Sequence, residues 1–494
     1  MLRQETQTLS QLGLSASADR NTRVTGVTAD SRAVKAGNLF AALPGTKQHG
    51  AEFIRDALDR GATAILTDDH GAELAQGHLL DQDIALAITN NPRRALAETA
   101  ARWFNKQPST IFAITGTNGK TSVANFVRQI WMKLGYCAIN FGTIGVEGAW
   151  EKPLSHTTPE PTVLHAILAE AKMRGVTHVA MEASSHGLQQ HRLDAVKLQA
   201  AAFTNFSQDH LDYHASLQDY FESKMRLFRH ILPAEASVVV NVDDPRAADV
   251  CAIADARGQN CVTVGRTTAS LRLLRQSFDP TGQSLYFTFQ QQQYYIRLDL
   301  IGGFQAQNAL LAAALVIAGG ASAERVFNFL ASLVTVRGRM QLVATRLNGA
   351  QVFIDFAHTP DALTKAIEAL RPHVIGRLIA IIGAGGDRDK TKRPLMGRAA
   401  SNHADLVYVT DDNPRSENAA TIRSEVLSGA PEAIEVGDRA EAIVRAIAQL
   451  MPGDALLIAG KGHESVQIVG DAVFPFDDAE HASMAVEALE GISP

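Results

Sequence analysis

The run Ile111-Phe-Ala-Ile-Thr-Gly-Thr-Asn-Gly-Lys-Thr-Ser-Val123 constrains the fold more than any other stretch of the chain. Ile111 to Ile114 make an apolar segment of strand length, and glycines follow at Gly116 and Gly119. Val123, Phe126, Val127 and Ile130 then recur at the spacing of a helix with one apolar face. A buried strand that turns directly into a helix predicts a parallel sheet with helical crossovers, since parallel neighbours need such connections. The same order of strand, glycine turn and helix start is how a chain cradles polyphosphate. Backbone N–H groups and the positive helix end face the anion, Lys120 reaches the terminal phosphates, and the Thr121 hydroxyl is placed to bind Mg²⁺. Gly116, Thr117, Asn118, Gly119, Lys120, Thr121 and Ser122 are therefore the candidate nucleotide loop. One departure is plain: Ile114 stands where the usual phosphate loop has its first glycine, and Gly116 comes two residues later.

At 494 residues the chain exceeds a single core, and roughly two to four domains are expected. With 46% hydrophobic and 20% charged residues it has the composition of a soluble globular protein. The net charge of −6 gives no nucleic-acid footprint. Three cysteines, Cys137, Cys251 and Cys261, lack metal-ligand spacing and suit a reducing cytosol. The first residues lack a signal peptide's apolar core, and the longest apolar run, Ala309 to Ala318, is too short to span a bilayer. A cytoplasmic enzyme without membrane insertion is expected.

Residues 1–105 read as a small α/β domain. Strands are expected at Arg23–Thr28, Asn38–Leu43, Ala62–Thr67 and Ile84–Thr89, with a helix near Ala51–Arg60. Asp30-Ser-Arg32 and the Gly45–Gly50 loop follow the first two strands and read as solvated turns. The central domain, residues 106–336, continues after the phosphate helix with a polar loop, His156-Thr-Thr-Pro-Glu160. A helix from Thr162 to Arg174 leads to a strand, Thr177–Met181, that ends on Glu182. A carboxylate at that strand end is placed either to hold Mg²⁺ or to bond its own loop. A buried strand, Ala201–Phe206, ends on the cluster Ser207-Gln-Asp-His-Leu-Asp-Tyr-His214, from which His210 is the candidate metal contact. In the next helix, Leu217–Ile231, Lys224 falls on the stripe of Tyr220, Phe221, Leu227 and Phe228. Such a lysine either snorkels to solvent or is buried, and a buried neutral amine can add CO₂ as a carbamate. Val238–Val242 reads as a further strand. Period-two alternation over residues 260–300 predicts an antiparallel appendage.

From Gln351 the βα alternation restarts, with strands at Val352–Phe356, Leu378–Ile382, Leu406–Thr410 and Ala455–Ala459. This C-terminal domain, residues 337–494, reads as a Rossmann-like doubly wound sheet. Polar clusters at Asp355–His358, Gly383–Lys390, Asp411–Arg415 and Gly460–Glu464 share its carboxyl rim, where ligands bind in such folds. Arg388 occupies the third glycine position of the dinucleotide fingerprint, which argues against a nicotinamide enzyme.

Six motifs then line up, in order and spacing, with one family. They are Gly116-Thr-Asn-Gly-Lys-Thr121, Glu182-Ala-Ser-Ser-His-Gly-Leu188, Asn205-Phe-Ser-Gln-Asp-His-Leu-Asp-Tyr-His214, Arg337-Gly-Arg-Met340, Asp355-Phe-Ala-His-Thr-Pro-Asp361 and Ala459-Gly-Lys-Gly-His-Glu464. Over nearly its whole length the chain resembles the Mur ligases, and Asp412-Asn-Pro-Arg415 resembles the signature of the branch that adds meso-diaminopimelate. Lysine-adding relatives lack that arginine. Folylpolyglutamate synthases share the amide chemistry but lack the N-terminal domain and this signature.

The resemblance implies three domains, binding a UDP-sugar-peptide, ATP and an amino acid in that order, in a monomer. It implies that ATP activates the D-glutamate γ-carboxylate of UDP-N-acetylmuramoyl-L-Ala-D-Glu as an acyl phosphate, which the amine of meso-diaminopimelate then attacks. Lys120, Lys224 and His210 would be catalytic, with Thr121, Glu182, His210 and Lys224 (as its CO₂-derived carbamate) around Mg²⁺. Asn308, Arg339 and Asp355 would join the phosphate loop on ATP. Ser31 and the Thr46, Lys47, Gln48 loop would take the uridine end, and His156, Thr157, Thr158, Ser184, Gln190 and Arg192 the muramoyl dipeptide. His156 stands where one branch of the family has asparagine. Diaminopimelate would meet Arg388, Asp412, Asn413, Pro414, Arg415, Gly460 and Glu464, a guanidinium fork suiting its distal carboxylate.

Overall fold

Runs of buried apolar residues between glycine or polar turns become parallel strands wherever a helix carries the chain back across the sheet. A computed structural model describes residues 6–16, 22–45, 48–79, 84–210 and 213–491 of the chain. The backbone forms two compact units, Met1–Val264 with Leu311–Ala323, and Gly265–Leu310 with Glu324–Pro494. The sheets are of α/β type, and residues 265–310 belong to the same compact unit as the C-terminal residues.

In the first unit a four-stranded parallel sheet runs in the order Gly26–Thr28, Asn38–Ala41, Ala64–Thr67, Ala85–Ile88. The expected first strand is broken at Thr25: Arg23–Val24 pairs antiparallel with Gln7–Thr8 instead. Asp30 caps a 3₁₀ turn at Ser31–Ala33 by accepting from Arg32 N, so that turn is ordered by an Asx-type bond. Helix Pro92–Phe104 starts with proline in its first turn and an Asn91 cap, the arrangement favoured at helix starts.

The central sheet places Thr110–Thr115 between His178–Glu182 on one side and Ala200–Phe203 on the other, all parallel. Ala138–Gly142 lies beyond the first, and Ser237–Asn241 then Cys261–Gly265 beyond the second. The strand before the phosphate loop is thus the topological switch point, where the chain leaves to opposite sides and opens a crevice at the carboxyl ends. Cys261–Gly265 is a parallel strand, not the start of the antiparallel appendage, because residues 247–256 form the crossover helix that returns the chain. An unbroken apolar core, including Ile111, Phe141, Leu168, Met181, Phe203 and Phe228, lies under this sheet.

In the second unit, Leu271–Asp279, Gly282–Phe289 and Gln292–Leu298 form the expected antiparallel meander. The C-terminal sheet is six-stranded, in the order Gln341–Thr345, Gln351–Asp355, Ala455–Ala459, Leu378–Ile382, Leu406–Val409, Ile434–Glu435. Its first pair is antiparallel and the rest are parallel. A separate hairpin, Val466–Val469 with Ala472–Pro475, follows the strand Ala455–Ala459.

Candidate active site

The phosphate loop hangs from the buried strand Thr110–Thr115 and is fastened to the segment after Ala200–Phe203. Thr117 N donates to Asn205 O (2.8 Å), Asn118 N to Asn205 Oδ1 (2.9 Å), and Thr204 Oγ1 to Asn118 O (2.6 Å). Gly116 is obligatory at φ +144°, since a Cβ there would lie 1.9 Å from Thr204 Oγ1. Helix Lys120–Lys133 begins at Gly119 without a side-chain cap, so its first amides are offered to an anion rather than to the protein. Lys120 Nζ folds onto the loop, donating to Gly116 O (2.9 Å) and Thr117 O (2.8 Å).

Lys224 Nζ reaches the same Gly116 carbonyl at 2.7 Å and lies 4.3 Å from the centre of the Tyr220 ring. The side chain does not snorkel; Lys224 is 1% exposed. Burial, reinforced by the charge of Lys120 and opposed by Asp209, pushes its ammonium well below the usual lysine range. Tyr220 lies within hydrogen-bond distance of Thr117, OH to Oγ1, at 3.2 Å, and burial raises its phenol. Sequence periodicity marked Tyr220 only as an apolar residue, and nothing in its spacing signalled the bond to the loop. Leu217, expected on the apolar stripe, is 42% exposed because it opens the helix.

Glu182 is buried at the end of its strand. Its Oε1 accepts from Thr121 Oγ1 (3.0 Å) and Thr143 N (2.8 Å), and its Oε2 from Thr143 Oγ1 (3.3 Å). The carboxylate therefore ties down a neighbouring loop and meets the phosphate-loop hydroxyl at once. Among the described residues no three His, Cys, Asp or Glu side chains gather as a metal group. A carboxylate beside a hydroxyl fits Mg²⁺ all the same, because that ion keeps waters and takes phosphate oxygens. His210 is at φ +54° with its ring 5.9 Å from Tyr220 and 4.9 Å from His186. It meets Lys224 through Tyr220, whereas Thr121 and Glu182 touch directly.

Five of the six residues expected on the muramoyl dipeptide form one network with Glu182. Thr157 Oγ1 lies 3.1 Å from Thr143 Oγ1, and Thr158 Oγ1 donates to Glu182 O while accepting from Ser184 N. Arg192 donates to Thr158 O (2.7 Å) and to Gln190 Oε1 (2.8 Å) and pairs with Glu160 at 2.6 Å. Gln190 Nε2 donates in turn to the Tyr213 hydroxyl. His156 stands off on the exposed loop, 3.0 Å from Ser155 Oγ. Ser31 and Gln48 belong to the loops of the N-terminal sheet, and Thr46 and Lys47 lie outside the described residues.

In the second unit, Asn308 is buried and donates to Gln305 Oε1 (3.0 Å). The Arg339 guanidinium covers the Phe356 ring at 4.5 Å. Asp355 accepts from Met340 N (2.7 Å) and Ala357 N (2.8 Å), and burial raises its carboxyl despite Arg339 and these amides. The Arg337–Met340 segment meets the Gly460–Glu464 loop backbone to backbone. A Cβ on Gly338 would lie 2.2 Å from His463 N, and one on Gly462 would lie 2.9 Å from Gly338 O.

Asp412, Asn413, Pro414, Arg415, Gly460 and Glu464 converge at the carboxyl rim of this sheet. A Cβ on Gly460 would approach Asp412 Oδ2 to 2.9 Å, and Asn413 Nδ2 donates to Glu464 Oε2 at 3.0 Å. Arg415 donates to Gly386 O (2.8 Å), and Arg388, exposed, donates to Asp387 O (3.3 Å) on the adjoining loop. Burial, and then the charge of Asp412, raises the Glu464 carboxyl. Lys461 is buried between these groups, and nothing in the spacing of its motif marks it as a site residue.

Three family models match this chain in sequence order: the Mur ligase family, catalytic domain at residues 23–104, the Mur ligase middle domain at 114–316, and the Mur ligase, glutamate ligase domain at 338–462. The chain belongs to the Mur ligase family. Among curated relatives of this Mur ligase, a UDP-N-acetylmuramoyl-L-alanyl-D-glutamate--2,6-diaminopimelate ligase of Agrobacterium fabrum is 46% identical, covering 94% of each chain. The enzyme of the same name from Caulobacter vibrioides is 47% identical over 95% of this chain and 96% of its own. A solved structure with that name superposes with a TM-score of 0.72 at 29% identity, covering 98% of this chain and 99% of the other. MurF of Thermotoga maritima in complex with ADP, at 21% identity and a TM-score of 0.62, shares the fold. The three-domain Mur ligase architecture and its α/β sheets follow from these matches. Among the described residues no helix is long and apolar enough to cross a membrane.

Proposed function

We propose that this Mur ligase joins meso-diaminopimelate to the D-glutamate γ-carboxylate of UDP-N-acetylmuramoyl-L-Ala-D-Glu, with ATP as co-substrate, in peptidoglycan precursor synthesis. The observation that carries the reading is end-to-end identity of 46–47% with enzymes of that name. The domains are assigned as 1–105 for the uridine end, 106–336 for ATP and 337–494 for the amino acid. The chain acts as a monomer on small molecules in the cytoplasm. Cys251 and Cys261, whose thiols are joined by a 3.8 Å hydrogen bond and not by a disulfide, suit that reducing compartment.

A carboxylate resists an amine until it carries a leaving group. The γ-carboxylate oxygen attacks the ATP γ-phosphorus and ADP departs. The amine of diaminopimelate then adds to the acyl phosphate, loses a proton, and phosphate leaves as the amide forms. The Thr157, Thr158, Ser184, Gln190 and Arg192 network is suited to holding the dipeptide beside the phosphate loop. The loop amides and Lys120 offset charge developing on the transferred phosphoryl group. Thr121 and Glu182, with His210 nearby, would hold Mg²⁺, which supplies charge neutralisation between phosphate oxygens. Lys224, as a carbamate, would present an anion to that metal from an otherwise apolar helix face. At the acceptor rim, Arg415 and Arg388 suit carboxylates, and Asp412 and Glu464 suit ammonium.

The decisive test is phosphate release with ATP, UDP-muramoyl-dipeptide, and meso-diaminopimelate and L-lysine as competing acceptors. Diaminopimelate is expected to be preferred, and Arg415→Ala to raise its KM by about 100-fold with the KM for ATP unchanged. No release, or preference for lysine, overturns the reading.

A further inference from the structure

We propose that Lys461, with the Val466–Pro475 hairpin that it ties down, is a positioning residue that sets Asn413 and Arg415 for the acceptor amino acid. The inference rests on the acceptor-site reading above and concerns a residue that touches no substrate in it. Lys461 is 0% exposed. Its Nζ donates to Asn413 Oδ1 (3.1 Å) and Val466 O (2.6 Å), and Glu464 Oε2 lies 3.8 Å away. Asn413 Oδ1 also accepts from Ile468 N at 3.0 Å. An amide oxygen that takes two donors fixes which way the group faces, so Asn413 Nδ2 is committed to Glu464 Oε2. The ammonium thereby orients the Glu464 carboxylate through Asn413, by hydrogen bonds shorter than its own 3.8 Å ion pair with Glu464.

The hairpin extends the same control to the arginine. Arg415 N donates to Ile468 O (3.0 Å), Gly470 N to Arg415 O (2.7 Å), and Gln467 Nε2 to Asp412 O (2.8 Å). Arg415 itself is at φ +51°, a conformation a non-glycine residue holds only when its surroundings impose it. These three bonds impose it, and the resulting turn carries the Arg415 side chain to Gly386 O on the adjoining rim loop. A buried charge is costly unless paired. Here the pairing carboxylate and carbonyls belong to the acceptor rim, so the lysine's stability and the rim's geometry are one arrangement.

The test compares Lys461→Met, Asn413→Ala and the double variant in the full-length enzyme, with folding checked by thermal melting. Lys461→Met is expected to raise the KM for diaminopimelate by about tenfold, with the KM for ATP within about twofold of the parent. In the Asn413→Ala background the same change should add less than about twofold, because the lysine acts through that amide. Multiplying effects, or parallel rises in both KM values, overturn the proposal. Gln467→Ala, on the half-exposed face of the hairpin, gives a second reading should Lys461→Met fail to fold. It is expected to raise the acceptor KM about threefold, and an unchanged value overturns the hairpin's part. If Arg415→Ala raises the acceptor KM while Lys461→Met and Gln467→Ala leave it unchanged, the positioning role fails and the acceptor site stands. If all three leave it unchanged, both fall.

Discussion

The carbonyl of Gly116 accepts from two lysines, Lys120 at 2.9 Å and Lys224 at 2.7 Å. Two ammonium groups so placed repel one another, and burial with that repulsion pushes the Lys224 ammonium well below its usual range. A neutral amine is the form that adds CO₂, and the carbamate proposed at Lys224 requires that form. Stripping CO₂ from the assay should therefore slow turnover, and bicarbonate should restore it. Lys224→Arg should lose at least about 100-fold in kcat and ignore bicarbonate. Full activity without CO₂, together with no carbamate ¹³C signal after ¹³CO₂ labelling, would sink the idea. At this scale the sequence was legible where spacing carried the message: Lys224 sat on an apolar stripe, and Glu182 ended a strand. It was silent on Tyr220, Thr143 and Lys461, whose importance lies in partners distant along the chain. No local pattern encodes such contacts.

Helix Pro161–Met173 buries His165, whose Nδ1 has no hydrogen-bond partner among the described residues and whose Nε2 lies 3.4 Å from Asp194 O. Burial pushes this imidazole down to about 4 from 6.5. The unfolded chain therefore binds a proton between those two values that the folded helix refuses. The helix's contribution is complete above pH 6.5 and is lost as pH falls toward 4. Replacing His165 with Leu should shrink the stability difference between pH 7.5 and pH 5 by about 2 kcal/mol, read from urea midpoints. An undiminished acid loss would place the titration elsewhere. Strands flanked by glycine were visible from periodicity to within a few residues, Leu378–Ile382 and Ala455–Ala459 among them. Cys261–Gly265 departs from the antiparallel expectation by pairing parallel with Ser237–Asn241, since alternation alone does not say which neighbour a strand will take.

For the whole molecule, the proposed acyl-phosphate route makes phosphate release conditional on all three substrates. ATP alone should yield neither ADP nor phosphate, ATP with the dipeptide at most about one equivalent of ADP per enzyme, and only the full set steady release of phosphate. Rapid ATP hydrolysis without dipeptide would contradict the acyl-phosphate route. The two doubly wound sheets could be read from the chain because βα alternation stops and restarts at residue 351. The membership of residues 265–310 in the C-terminal compact unit could not, because compactness depends on packing rather than order. One seam in that second unit also bears on inheritance. Gly338 and Gly462 press backbone to backbone, with room for no β-carbon on either side. Apart from the Phe356 β-carbon, only backbone stands in the way, so a compensating substitution has almost nothing to shrink and neither position has a neighbouring genotype through which to drift. A saturation screen for growth would mark both as sharply as the phosphate-loop lysine, although neither glycine is placed on a substrate. Intolerance there would trace the tightness of a joint, not the outline of a ligand.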